Sequence, residues 1–353
     1  MSVSPFDHPL LARLLGDSEI AAQFSAEAEI AQIAVFESAL AVAEGTEGVI
    51  PAEAAAAISS RLASFEPNVA ALSEATARDG VVTVELVRQM REHVGEPHGQ
   101  HLHIGATSQD AIDTSLVLRL RPVLAALGRR LNALVAALEQ LAAREGDREL
   151  MGVTRMQNAL PVTAGARIEQ WSLPLARHRE RLVELRPRVL VLQFGGAVGT
   201  LDKFGAKGRA VAERMAAHLE LGLPVRSWHT QRDSLAEFGG WLSLIAGTLG
   251  KMGQDIALMA LSGEVALEGT GGSSAMPHKQ NPVKAEVLMA LARYNATLVS
   301  GMHQTLVSEQ ERSGAAWTLE WLVLPQMAVA AGAALRTASE LVASIESMGA
   351  GHG

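Results

Sequence analysis

The sequence has no cysteine, few aromatic residues and no apolar run as long as a membrane span. Zero cysteines among 353 residues exclude disulfides and thiolate metal sites, and this fits a reducing, cytoplasmic compartment. Aromatic residues make up only 4% of the chain although 48% of it is hydrophobic, a balance typical of closely packed helices. Apolar runs fall short of the roughly 20 residues that cross a bilayer, and residues 1–10 lack a signal-peptide core, so we expect no membrane association.

Motifs for common cofactors are missing as well. The sequence has no Walker loop, no strand-bound Gly-x-Gly-x-x-Gly and no His-Glu-x-x-His pattern, so we predict neither a nucleotide cofactor nor a metal. The net charge of −8 argues against nucleic acid as a partner. It leaves open a small anionic substrate, because the field within a site is local.

Helical periodicity dominates what is present. Apolar residues alternate three and four apart over 117–141 and 235–259, and helical patterns also cover 287–313 and 317–345. Stripes of this length predict an all-α fold built on an elongated bundle of long helices. We divide the chain into a smaller N-terminal helical domain, the bundle domain and a frayed tail, without a full C-terminal domain: 1–105, 106–346 and 347–353. Pro174 and Pro187 are expected to kink or split one helix.

A polar, glycine-rich stretch within residues 263–282 joins two of these patterns. Ser273 and Ser274 supply hydroxyls, Lys279 a cation and Asn281 a carboxamide, and Pro282 suits the first turn of the next helix. A hydroxyl, a cation and a helix N-terminus in one place can stabilise an anion. The alternative is a flexible interhelical linker.

A second polar stretch precedes the longest helical pattern. Thr107 or Ser108 can cap that helix, with Asp110 in its first turn. His103 lies just before it, as a site residue or as a structural histidine.

Two further strings carry arginine. Arg155 cannot serve as a base near neutral pH, so it is either a carboxylate ligand or a surface arginine in an ion pair. Arg232, close to His229, begins another helical pattern and is either an anion ligand or part of a surface cluster with Asp233.

These strings together resemble the fumarase/aspartase superfamily. Residues 272–282 match its signature loop without a gap, and residues 103–110 and 152–165 are similar to its first and second conserved blocks. The turn at 195–200 and the string at 228–233 most resemble the cycloisomerase branch. The resemblance covers roughly residues 100–300.

The resemblance implies a set of roles. Ser273 is the proton donor or acceptor, with Lys279 polarising it and His103 as a proton-transfer or binding group. The implied substrate-binding residues are Thr107, Ser108, Thr154, Arg155, Gln157, His229, Arg232, Ser274, Met276 and Asn281. The superfamily also implies a homotetramer whose sites are each built from three subunits, and no cofactor.

The cycloisomerase branch implies an intramolecular reaction in aromatic-acid breakdown through β-ketoadipate. One carboxylate of a cis,cis-diene triacid adds across a double bond to close a γ-lactone, and the carbon beside another carboxylate is protonated. Arg155 stands where the lyase branches carry a histidine. A C–N lyase that releases fumarate from adenylosuccinate or argininosuccinate is the first alternative, and a non-enzymatic helical scaffold is the second.

Overall fold

The computed structural model describes residues 4–269, 271–272, 276 and 279–349. Helices account for most of this part of the chain, which confirms the predicted all-α class. Their bounds in chain order are α1 Ala12–Leu15, α2 Ser18–Ala22, α3 Ala26–Thr46, α4 Ala52–Leu62, α5 Val69–Asp79, α6 Thr83–Val94, α7 Ser108–Glu145, α8 Ala164–Val189, α9 Gly208–Leu219, α10 Asp233–Ser262, α11 Val283–Gln304 and α12 Gly314–Ala343.

Helix α7 is the longest element, with 38 residues and a length of about 57 Å. Its apolar stripe, which includes Leu120, Leu127, Leu134 and Leu141, is buried. The three-and-four spacing therefore predicted both the helix and its buried face. Helices α8, α10, α11 and α12 pack with it into the bundle.

Glycines allow α10 and α11 to approach each other closely. A Cβ at Gly250 would lie 2.4 Å from the Cβ of Ala292, and one at Gly253 would lie 2.8 Å from the carbonyl oxygen of Ala285. Larger side chains at these positions would force the helices apart, so the small residues set the spacing at this crossing.

The N-terminal helices pack directly on the bundle. Helix α3 contacts α4, α7 and α9, while α1 and α2 lie against α12. Buried apolar residues from Ile20 to Met348 form one continuous cluster. The division of the chain at residue 105 thus stays a prediction from sequence.

Two pairs of short strands were not predicted. The strands β1 (Glu149–Thr154) and β2 (Gln157–Thr163) form an antiparallel hairpin. The strands β3 (Val265–Leu267) and β4 (Ile345–Met348) pair across the end of the bundle. The prediction of a frayed tail from residue 347 is therefore wrong for Ser347 and Met348, because ladder hydrogen bonds to β3 hold them.

Three helix boundaries differ from the sequence prediction. Helix α11 ends at Gln304 rather than near Ser313, and Ser313 instead caps α12 by accepting a hydrogen bond from the Ala316 N–H at 3.3 Å. Helix α12 ends at Ala343 because the chain continues into β4.

Helix α8 runs unbroken through Pro174 and Pro187, so the expected split does not occur. A proline removes the hydrogen bond to the carbonyl four residues earlier, here those of Gln170 and Val183. Both of these residues are exposed, so water can bond to the freed carbonyls.

Helix α12 is long and apolar enough to cross a membrane, although the sequence analysis found no apolar run of that length. Its most apolar window has a mean hydropathy of 1.3, and 67% of that window is buried inside the fold. Burial of this kind is typical of the core helix of a soluble protein.

Candidate active site

The start of α7 forms one side of the candidate site. Thr107 is the N-cap residue, and its backbone N–H donates to Oδ2 of Asp110 at 3.1 Å, which confirms the predicted cap. Ser108 opens the helix. The N-terminus of so long a helix carries a partial positive charge and unpaired N–H groups, so it is suited to bind a carboxylate.

Asp110 joins this helix start to two other segments. Its carboxylate is fully buried and accepts hydrogen bonds at 2.9 Å from the backbone N–H groups of Gly195 and Gly196. It also bonds Nε2 of His229 at 2.9 Å and the side-chain amide of Gln193 at 3.1 Å. Asp110 thereby fixes the position of the whole 193–196 turn relative to α7.

The glycines in that turn are required by close packing. Gly196 has a φ of +69°, and a Cβ there would lie 2.8 Å from the carbonyl oxygen of Gly105. A Cβ at Gly195 would lie 2.5 Å from the side chain of Ser227. Side chains at these two positions would clash, so the glycines let the turn pack closely against its neighbours.

His229 was predicted to contact substrate, but its surroundings indicate a structural role. Its side chain is 4% exposed, and its Nε2 faces Asp110. Its backbone carbonyl accepts a hydrogen bond from the Gln109 side chain at 2.9 Å. The ring therefore holds Asp110 in place and is shielded from any ligand at the start of α7.

Arg232 is likewise occupied within the fold. Its guanidinium is 2% exposed, and it donates to both oxygens of Asp113 and both oxygens of Glu320, at 2.6 to 3.1 Å. The side chain also stacks over the ring of Trp228 at 4.8 Å. This geometry indicates a structural role, because two buried carboxylates already use the guanidinium, and the role of Arg232 as a substrate ligand stays a prediction.

His103 has the environment of a functional histidine. Its backbone lies in the left-handed region with a φ of +63°, and its Nδ1 is 2.5 Å from Oε1 of Glu37 on α3. Burial disfavours charge on the imidazole, but the attraction to Glu37 outweighs this, and the pKa of His103 is raised above its ordinary value. Its side chain keeps 14% exposure, so one edge can reach a ligand.

Arg312 was not singled out from the sequence. It lies in the 305–313 segment between α11 and α12, where it is exposed. Its guanidinium donates to the hydroxyl of Thr107 at 2.7 Å and to the carbonyl oxygen of Ala197 at 2.9 Å. It adds a positive charge beside the N-terminus of α7, and no motif in the sequence pointed to it.

The second conserved block forms the β1–β2 hairpin. Arg155 and Met156 make its two-residue turn with φ values of +51° and +65°. Thr154, Arg155 and Gln157 are all exposed, and their side chains make no hydrogen bond to other described residues. Within one chain the structure does not bring this block to the start of α7.

The base of the signature loop is a short bridge. Gly271 and Asn281 exchange backbone hydrogen bonds at 2.9 and 2.7 Å, and the Asn281 side chain donates to the carbonyl oxygen of Gly272 at 3.2 Å. Met276 and Lys279 are both exposed, and the Lys279 N–H donates to the Met276 carbonyl at 3.0 Å. Ser273 and Ser274 lie outside the described residues, so their predicted roles stay predictions.

Comparison with known proteins places this geometry in context. A family model described as "Lyase" matches residues 17–294. A 3-carboxy-cis,cis-muconate cycloisomerase of Pseudomonas aeruginosa is 44% identical over 333 residues, covering 92% of this chain and 72% of that protein. One from Pseudomonas putida is 42% identical, covering 88% of this chain and 76% of the relative.

A solved structure of a related enzyme is also similar to this chain. The crystal structure of the 3-carboxy-cis,cis-muconate lactonizing enzyme from Pseudomonas putida matches with a TM-score of 0.90 and 41% identity, covering 95% of this chain and 76% of that chain. The agreement includes both the bundle and the N-terminal helices, since nearly all of the chain is aligned.

Proposed function

Since the chain belongs to the lyase family of the fumarase/aspartase type, we propose that it closes 3-carboxy-cis,cis-muconate to a carboxymuconolactone. The observation that carries this proposal is the 44% identity to a cycloisomerase over 92% of the chain. Arg155 adds support, because the turn that presents it offers a carboxylate ligand and no histidine base. The reaction belongs to protocatechuate breakdown through β-ketoadipate, in the cytoplasm, and needs no cofactor.

The substrate carries three carboxylates, and the candidate site offers three kinds of anion partner. The start of α7 with Thr107 and Ser108 binds one carboxylate, and Arg312 lies within reach of the same place. His103 presents a partly exposed ring beside it. Arg155 supplies a further cation from the hairpin.

In the reaction one carboxylate oxygen forms a C–O bond to an alkene carbon. The π electrons move to the neighbouring carbon and onto the carboxylate attached there, and that carbon then takes a proton from the hydroxyl of Ser273. Lys279 and the N-terminus of α11 stabilise the negative charge that develops, an effect typically worth several kcal/mol. Solvent returns the proton to Ser273.

The site is completed by neighbouring copies of the chain in a homotetramer. The hairpin supports this, since it exposes Val153, Met156 and Leu160 at 49%, 69% and 74%. Apolar side chains at that exposure favour contact with another surface. In the tetramer Thr154, Arg155 and Gln157 of one subunit reach the α7 start of another.

Ultraviolet absorbance tests the function directly. The conjugated diene of the substrate absorbs strongly, and lactone formation removes this absorbance, so the signal should fall with enzyme and stay constant with the Ser273→Ala variant. Fumarate release from adenylosuccinate or argininosuccinate, with an unchanged diene spectrum, would support the C–N lyase instead. Failure to bind any polycarboxylate would favour the scaffold.

A further inference from the structure

Two glutamates lie on the buried face of α3, where apolar residues are expected. Glu37 and Glu44 are 1% and 0% exposed, and they are seven residues apart, so both point to the same side of the helix. Their neighbours on this face include Ile33, Phe36 and Leu40, all buried. Burying a carboxylate is costly unless it is paired, so each glutamate calls for a physical explanation.

Glu37 has one partner and Glu44 has none among the described residues. Oε1 of Glu37 meets Nδ1 of His103 at 2.5 Å, while its Oε2 is buried without a hydrogen bond. Both carboxyl oxygens of Glu44 are buried without a hydrogen bond. The two glutamates therefore differ in the charge that they can carry.

We propose that Glu37 is a positioning residue that holds His103 as an imidazolium, and that Glu44 stands behind it as a neutral acid. Of the two glutamates, only Glu37 then carries a negative charge, and its carboxylate faces the imidazole of His103. Nδ1–H donates to Glu37, and the other nitrogen, Nε2, has no hydrogen-bond partner among the described residues. His103 thus offers an N–H to a substrate carboxylate and acts as an anion ligand rather than as a base.

The charges around the pair agree with this assignment. Burial, and to a smaller extent repulsion by Glu37, raises the pKa of Glu44 to about 9, so it is protonated at neutral pH. The groups that act on His103 are Glu37 and Asp110, which favour its charge, and Arg91, which opposes it. Arg91 itself donates to the carbonyl oxygen of Leu102 at 2.9 Å.

Other cations near α3 are engaged elsewhere. On the helices that pack on α3, Arg61, Arg119, Arg209 and Arg214 face the Val94 carbonyl, Glu29, Glu213 and Glu47 respectively. The other arginines of α7, which are Arg121, Arg129, Arg130 and Arg144, face the Leu219 carbonyl, Glu19, Asp17 and Glu145. His218 of α9 is exposed. Neutralisation by a proton is therefore the remaining way to bury Glu44.

Hydrogen–deuterium exchange at the imidazole C2 position, read by mass spectrometry, measures the pKa of each histidine in the intact protein. Glu37→Gln should lower the pKa of His103 by about one unit or more, because it removes the opposite charge at hydrogen-bond distance. Glu44→Gln, the matched control on the same helix face, should leave it unchanged. An unchanged His103 in Glu37→Gln, or an equal shift in Glu44→Gln, would overturn the proposal.

Folding of the variants is checked by circular dichroism and hydrodynamic size. If Glu37→Gln does not fold, Glu37→Asp withdraws the carboxylate by one methylene group and should still lower the pKa of His103. The wild-type protein gives an independent result, since the pKa of His103 should lie above the ordinary histidine value of 6.5. A pKa of His103 below that value would overturn the assignment without any variant.

The role of this pair in binding substrate rests on the proposed function, whereas its protonation does not. Glu37→Gln should raise KM about tenfold, with a smaller effect on kcat, because a carboxylate ligand is weakened. The difference should be largest at pH values between the pKa of His103 in the variant and in the wild type, where only the wild type carries the charge. If the wild type lacks cycloisomerase activity, the proposed function fails while the exchange result still decides the charge state of His103.

Discussion

At the scale of single residues, Arg232 and Arg312 have opposite surroundings. Arg232 is buried between Asp113 and Glu320, whereas Arg312 is exposed and bonds the hydroxyl of Thr107. Both arginines follow polar strings in the sequence, so the sequence alone could not assign one to the core and the other to the site. The sequence analysis named only Arg232 as a substrate ligand, whereas the fold leaves Arg312 as the arginine whose guanidinium is exposed beside the start of α7.

Substitution of the two arginines should separate stability from binding. Arg232→Leu should lower the free energy of unfolding by about 3–5 kcal/mol, because it leaves two buried carboxylates without their cation. Arg312→Leu should change stability by less than about 1 kcal/mol and raise KM. Urea unfolding and steady-state kinetics measure both effects. A stable Arg232→Leu enzyme with a raised KM would restore Arg232 as a substrate ligand.

His178 gives the protein a defined sensitivity to acid. It is buried between α8 and α10, where Nε2 lies 3.0 Å from the hydroxyl of Thr248. Burial, and then the charges of Arg181 and Arg177, lower the pKa of His178 to about 4, from an ordinary value of 6.5. The unfolded chain therefore binds an extra proton between these values.

Above pH 6.5 His178 is neutral in both the folded and the unfolded chain and does not reduce the free energy of unfolding. As the pH falls from 6.5 towards 4, the unfolded chain binds a proton that the folded chain does not, so the free energy of unfolding decreases. The loss at pH 5 should reach about 2 kcal/mol, as an upper value. His178→Gln should show a smaller fall in Tm between pH 7 and 5, while His303→Gln, an exposed control, keeps the wild-type fall. Parallel curves for wild type and His178→Gln would contradict this.

At the scale of elements, the β1–β2 hairpin holds conserved-block residues away from the rest of their own chain. Its turn needs two residues with positive φ, which β-branched residues avoid and asparagine accepts. Sequence periodicity did not reveal the hairpin, because most of its residues are exposed and it lacks the alternation of apolar and polar residues that marks a strand.

Asparagine substitution at the turn tests the function of this element. Arg155→Asn should keep or improve stability and raise KM by about 10- to 100-fold, the effect of losing a charge-assisted hydrogen bond. Arg78→Asn, the same change at an arginine of α5 that is 71% exposed and lies outside the candidate site, should leave KM near the wild-type value. Equal kinetics for the two variants would return Arg155 to a surface role.

At the scale of the whole molecule, an apolar stripe of α10 stays exposed in the single chain. Leu244, Leu258 and Leu261 are 52%, 41% and 84% exposed, and their spacing places them along one side of the helix. Leucines exposed in this way on a bundle helix are expected to contact another subunit.

Light scattering tests the assembly. The wild type should have four times the 37.3 kDa mass of the chain at micromolar concentration. Leu244→Asp should lower this mass and abolish turnover, because a charge in an apolar interface is costly and because each site of the proposed tetramer uses several subunits. Leu10→Asp, which is 83% exposed before α1, serves as the control and should keep both mass and activity. A monomeric wild type would contradict the tetramer.

The sequence by itself determined the helical class, the long helices and the family. Each of these depends on information that is local along the chain: the three-and-four spacing of leucines, the cap at Thr107 and Asp110, and short strings of polar residues. Such features predict local structure and family membership without knowledge of how the rest of the chain folds.

Only the tertiary structure decided which charged groups are buried and what they pair with. Glu320 reaches Arg232 across 88 residues of sequence, and Glu37 reaches His103 across 66. A charge is driven to the core or left at the surface by partners that folding brings to it, since burial is tolerated only when a counter-charge or a proton is at hand. That partner cannot be found from the spacing of residues along the chain.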